Sequence, residues 1–175
     1  MNMIPKAIGT LAFLAATALP AVAQEQSSNR VNTETDWSVF VEDNPSQCWV
    51  VSAPKSIRNV RDGQEVEARR GDIRLYVSYW PGSDKNGEVS ATGGYPYRDG
   101  STVTLEIGSD QFDLFTDGEM AWAMPDDDAK IVAAMKRGAQ AVVTGVSGRG
   151  TETQDTFSLL GFTAAVDDAA QRCSG

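Results

Sequence analysis

From Asp36 onward, apolar residues recur at every second position in short runs, the period of strands with one buried face. Trp37, Val39 and Val41 alternate with Ser38, Phe40 and Glu42, and residues 48–52 form a second apolar run that opens on Cys48. Ile73, Leu75, Val77 and Tyr79 make one face of a longer strand, with Arg74, Tyr76, Ser78 and Trp80 on the other. Further strands are predicted over 88–92, 102–107, 111–116 and 120–123, and the charged-and-small alternation of 65–69 suits a solvated sheet edge. Turn pairs such as Asp62-Gly63, Pro81-Gly82, Gly93-Gly94 and Asp117-Gly118 separate these runs.

Two segments change to a helical period. Pro125 and the aspartates 126–128 open a helix with Ile131, Val132 and Met135 on its apolar side, and Gly138 after Lys136-Arg137 stops it. Residues 162–173 carry apolar side chains at 162, 165, 166, 169, 170 and 173, one helical face that turns Cys173 inward. Between the helices, 139–145 and 153–160 read as a hairpin around Ser147-Gly148-Arg149-Gly150. Short strands with turn signals roughly every 8–12 residues predict a mainly β fold, a two-sheet β-sandwich with two helices attached.

The chain begins differently. Lys6 precedes an apolar run, Pro20 breaks it, and Ala21-Val22-Ala23 places small residues at −3 and −1 of a signal-peptidase site. This divides the chain into a signal peptide over 1–23, cleaved between Ala23 and Gln24, a polar flexible arm over 24–35 and a domain over 36–175. The apolar run is too short for a permanent membrane helix, and no later segment reaches the roughly 20 apolar residues needed. The expected location is periplasmic or secreted. Cys48 and Cys173 are the two cysteines, and an even count in an exported chain reads as a disulfide; two buried free thiols are the alternative.

Composition removes whole classes of function. The chain carries −9 at pH 7, and loss of the single signal-peptide lysine makes the exported part −10. That balance argues against a nucleic-acid surface, which needs a basic stripe. With no histidine, Ser-His-Asp and Cys-His catalysis and His-ligated metals are excluded. No catalytic residue, metal ligand or cofactor is assigned.

Several motifs have plainer explanations. Ser52-Ala53-Pro54-Lys55 spells the Ser-x-x-Lys of penicillin-recognising enzymes, but Pro54 favours an extended Ala53 and no partner motif occurs. Arg70-Gly71-Asp72 matches an adhesion tripeptide and reads as the turn before Ile73. The aspartates 126–128 lack the alternate spacing of a calcium loop and suit a helix dipole. The glycines at 145, 148 and 150 precede a strand and mark a turn rather than a phosphate cradle. The aromatic loops are harder to dismiss: Tyr79, Trp80, Tyr95 and Tyr97 stand near turns, and Tyr and Trp favour binding surfaces. These four are the candidate binding surface, completion of the core being the alternative.

Residues 36–40, 47–52, 71–78, 87–90, 93–97, 112–115 and 129–135, and the ending from Asp155-Thr156-Phe157-Ser158 through Cys173, together resemble the invasion-associated locus B proteins. The likeness spans essentially all of the exported chain. It implies an immunoglobulin-like β-sandwich, a Gram-negative source, a periplasmic or secreted location and no established enzymatic activity. The expected function is a non-enzymatic envelope protein that binds an unknown protein or envelope polymer. A periplasmic stress or envelope-stability factor is the alternative, and a small carboxylate hydrolase is a remote third.

Overall fold

The computed structural model describes residues 29–43, 46–82 and 87–174. The predicted signal peptide and its Ala23–Gln24 cleavage site lie outside these described residues. The strands are β1 (Arg30–Glu34), β2 (Trp37–Asp43), β3 (Ser46–Ser52), β4 (Ser56–Arg61), β5 (Gln64–Glu65), β6 (Arg74–Tyr79), β7 (Glu88–Thr92), β8 (Thr102–Ile107), β9 (Asp110–Asp117), β10 (Met120–Ala123), β11 (Gln140–Val146) and β12 (Glu152–Ser158). Helix α1 (Asp128–Arg137) follows β10, and α2 (Phe162–Arg172) follows β12.

The chain is mainly β, an immunoglobulin-like sandwich with one of its two helices at the C-terminus. The strands hydrogen-bond in the order β1-β2-β3-β6-β7-β10-β9-β8-β11-β12-β4-β5, all antiparallel. Two hydrogen-bonded sheets were expected; the ladder is unbroken instead. The layers arise because this one sheet doubles back, bringing the start of β2 against the end of β12 and the segment after β3 alongside it. Trp37 Nε1–H donates to the Ser158 carbonyl at 3.0 Å, and Lys55 N–H to that of Thr156 at 2.7 Å. Inward residues of both halves meet in one core, with Trp37, Val50, Leu75, Leu105, Leu114 and Phe157 all at most 1% exposed. Both helices add apolar faces to it, through Ile131 and Met135 of α1 and Phe162 and Val166 of α2.

Three stretches depart from the sequence expectation. Arg30–Glu34, read as part of a flexible arm, is an edge strand paired with β2. It has no apolar face to announce it; backbone pairing and a bond from Asn32 Nδ2 to Asp168 Oδ2 of α2 (3.0 Å) hold it instead. Ser56–Arg61, unassigned from sequence, pairs with β12, and only Asn59 of it is buried. The edge expected over 65–69 shrinks to Gln64–Glu65, because the chain beyond turns inward to bury the Arg70 side chain.

Candidate functional site

Cys48 sits on the inner face of β3 opposite Tyr79, and Cys173 follows α2. Their sulfurs are bonded, with Cα atoms 5.9 Å apart and a sequence separation of 125. The bridge ties the terminal helix to the sheet beside a groove of about 630 Å³. Tyr79 and Trp80 line that groove with Ala129, Val132 and Ala133 of α1 and Val166 and Ala170 of α2. Lys136 Nζ and Asp167 Oδ1 pair at 2.7 Å between the helices. Burial, with the Asp167 charge adding to it, pushes the Tyr79 phenol up to about 12.

Tyr95 and Tyr97 lie elsewhere, so the four aromatic residues do not form one surface. Tyr97 is only 5% exposed, bridges to Ser147 and belongs to the core. Tyr95 packs edge-on against it, ring centroids 5.0 Å apart, under the Arg70 guanidinium at 5.1 Å. The Tyr95 and Thr153 hydroxyls share a hydrogen bond of 2.5 Å. Burial raises both phenols, and for Tyr95 the Thr153 bond and the Arg70 charge pull the other way. The reason for the separation is topological. Tyr79 ends β6, whereas the 93–97 loop lies beside the start of that strand, where Gly71 N–H donates to the Gly94 carbonyl at 2.8 Å. A Cβ on Gly94 (φ +72) would stand 2.6 Å from the Gly71 oxygen, so this approach requires glycine.

The remaining motifs are absorbed by the fold. Ser52 Oγ donates to the Asp36 carbonyl at 2.8 Å and Lys55 Nζ meets the Asp36 carboxylate at 2.5 Å. Serine and lysine thus anchor the start of β2. In Arg70-Gly71-Asp72 the arginine is buried against Asp155 while Asp72 is exposed, so the tripeptide cannot be presented as a unit. Asp128 is buried and accepts the Val89 N–H at 2.9 Å, which pins α1 to β7. Among the described residues, no group of three or more cysteine and carboxylate side chains could hold a metal ion.

One feature was missed from sequence. The outer face of the sheet carries Phe40, Trp49, Tyr76, Trp122 and Phe115 on β2, β3, β6, β10 and β9. Phe40 stacks on Trp49 with centroids 5.3 Å apart and planes 6° from parallel. The register places Tyr76 beside Ser90, Ser90 beside Trp122, and Trp122 beside Phe115. Ser90 is outward yet only 3% exposed, flanked on both sides by these large rings. Phe115 is 49% exposed. Each ring occupies the polar phase of its strand, and that conflict with the alternation was the available signal.

The sequence profile of the family described as invasion associated locus B (IalB) protein matches residues 37–170. The chain belongs to the invasion associated locus B family. The crystal structure of invasion associated protein B from Bartonella henselae shares the fold, with a TM-score of 0.54 at 16% identity. The likeness covers 81% of this chain and 96% of that one. No curated protein matches this locus B chain by sequence. The locus B family is not a known enzyme family. Among the described residues, no helix is long and apolar enough to cross a membrane.

Proposed function

We propose that this chain is an exported, non-enzymatic module of the bacterial cell envelope that docks a protein partner on its aromatic outer face. The observation that carries the reading is the band from Phe40 to Phe115, on strands that follow one another across the sheet. From β2 to β9 that band spans five strand spacings, roughly 24 Å. Stable interfaces bury about 800 Å² per partner and favour Trp, Tyr and Phe at their centres. A broad sheet face suits that geometry better than it suits a single threaded polymer. The cysteine bridge and the Ala-x-Ala site before Gln24 support export, and the invasion-associated name of the solved neighbour supports contact with another molecule.

The experiment places a photo-crosslinking amino acid at Trp49 or Trp122 in living cells, with Val142 on the far half of the sheet as control. Discrete protein adducts at both aromatic positions and none at Val142 are expected. Absence of adducts at either tryptophan, or equal labelling at Val142, would refute the surface. Sedimentation with purified peptidoglycan that Trp49→Ala/Trp122→Ala abolishes would show a polymer ligand and overturn the protein assignment. The N-terminal residue of the exported protein, expected to be Gln24, tests the export half separately.

A further inference from the structure

Among the described residues, the arginines without an ion-pair partner are concentrated at one place on this acidic chain. Arg30 apart, every described arginine without an ion-pair partner stands around a single cavity: Arg61, Arg69, Arg98 and Arg149. The cavity, of about 550 Å³, opens where the 66–71, 93–98 and 147–151 segments meet, beyond the start of β6. Arg61, Arg69 and Arg149 line it, and Arg98 Nη2 would lie 3.3 Å from a Cβ on neighbouring Gly150. Glu67 and Glu119 line it as well. The walls are net positive in a chain whose net charge is −9.

Beneath the cavity, a buried network fixes the three segments. Arg70 makes a two-bond fork with Asp155, one arm at 2.7 Å, both side chains almost fully buried. It also donates to the Gly93 carbonyl at 2.8 Å and covers the Tyr95 ring. Gly148 N–H donates to the Pro96 carbonyl at 3.0 Å, joining the second and third segments. Thr151 Oγ1 accepts from both Arg61 Nη2 and Arg61 Nε, at 2.5 and 3.1 Å, so that guanidinium is already oriented. A buried ion pair is a poor source of net stability because desolvation offsets its attraction. Its effect here is to hold donors in place, the condition for a site that binds without rearrangement.

We propose that this cavity binds a sugar bearing an oxyanion, a phosphate or a carboxylate. Guanidinium forks match such groups two bonds at a time. Glu67 and Glu119 would repel a bare anion, but they accept hydrogen bonds from sugar hydroxyls. Tyr95 and Pro96 supply an apolar wall for the ring, and the volume exceeds what a lone phosphate needs. This site lies at the opposite end of β6 from Tyr79 and does not depend on the aromatic face.

The test is calorimetric titration with glucose 6-phosphate, glucuronate, glucose and inorganic phosphate, at low and high salt. At least one charged sugar should bind, weakening with salt, while glucose does not bind. Arg69→Ala/Arg149→Ala should weaken binding roughly tenfold or more without moving the urea midpoint, since both side chains are exposed and unpaired. Preference between the two charged sugars identifies the oxyanion. Failure of both to bind, indifference to the double substitution, or inorganic phosphate binding as tightly as the sugars would overturn the proposal.

Discussion

Replacing Cys48 and Cys173 together by alanine removes the bridge while leaving small apolar side chains at two buried positions. The bridge closes a loop of 125 residues, for which chain-entropy arithmetic gives about 5 kcal/mol at 25 °C. That is between three and four powers of ten in the folded-to-unfolded ratio, and a third or more of the total stability of an ordinary domain. The native fold should survive the change, because α2 is also held by Phe162 on Trp37, ring centroids 4.8 Å apart, and by buried Ala165, Val166 and Ala169. Circular dichroism should therefore look native while the urea midpoint falls sharply. The m-value should rise, since the uncrosslinked unfolded chain exposes more surface. A loss below about 1 kcal/mol would refute the assignment of the bridge to the unfolded ensemble. Intact mass offers an independent check: two thiols alkylated without reductant would sink the bridge itself.

Three further outcomes follow from single contacts. Arg70→Met leaves Asp155 buried without its partner and should cost about 3–5 kcal/mol, whereas Arg70→Met/Asp155→Leu should recover most of it in urea titrations. Burial pushes the Asp155 carboxyl up against the pull of Arg70, so Arg70→Met should lose stability as pH rises above 3.8, where the unfolded carboxylate ionises first. The hydrogen bond from Lys55, then that from Ser158, holds the Asp36 carboxyl below its ordinary 3.8, so its contribution is present above that value and lost as pH falls through the native one. Lys55→Met should move the Asp36 carboxyl resonance back toward the usual titration range, the Ser158 bond keeping part of the depression, and start acid unfolding at higher pH. Gly161 has φ +87, and a Cβ there would meet the Glu34 carbonyl at 2.0 Å. Gly161→Ala should cost at least about 2 kcal/mol by thermal melting, through left-handed strain and displacement of β1.

The strands that bury one face were legible because their apolar residues keep a strict period of two. Leu75, Val77, Val103 and Leu105 point inward as that period requires. Both helices were legible from periodicity, and α1 also from Pro125 before it and Gly138 after it. The polar strands β1 and β4 were not, because neither has an apolar face: β1 is held by its hairpin with β2, Glu34 opposite Trp37, and β4 by a neighbour far away in sequence, Thr156 for Ser56. No local pattern encodes such pairing. The four candidate aromatic residues are divided between two places for a related reason. Proximity to turns put Tyr95 and Tyr97 with Tyr79 and Trp80, but the register decides which end of the sheet each loop occupies. The same register assembles Tyr76, Trp122 and Phe115 from three separate strands.

The two ends of the domain are secured by different chemistry, and the difference bears on what each end does. At the helix end the bridge constrains α2 covalently, leaving Tyr79 and Trp80 to line the groove without having to fix it. At the loop end Arg70 reaches Asp155, Asn59, Gly93 and the Tyr95 ring, contacts on β12, on β4 and in the 93–97 loop. Well-packed apolar side chains would secure that end at least as firmly. If Arg70 served stability alone, the Arg70→Met/Asp155→Leu protein would keep both its urea midpoint and its affinity for charged sugars. If Arg70 positions the segments that carry Arg61, Arg69 and Arg149, the double variant stays folded but binds glucose 6-phosphate or glucuronate more weakly. Measuring both quantities on that one protein separates a structural ion pair from one that shapes a site, because only the second predicts that stability and affinity part company.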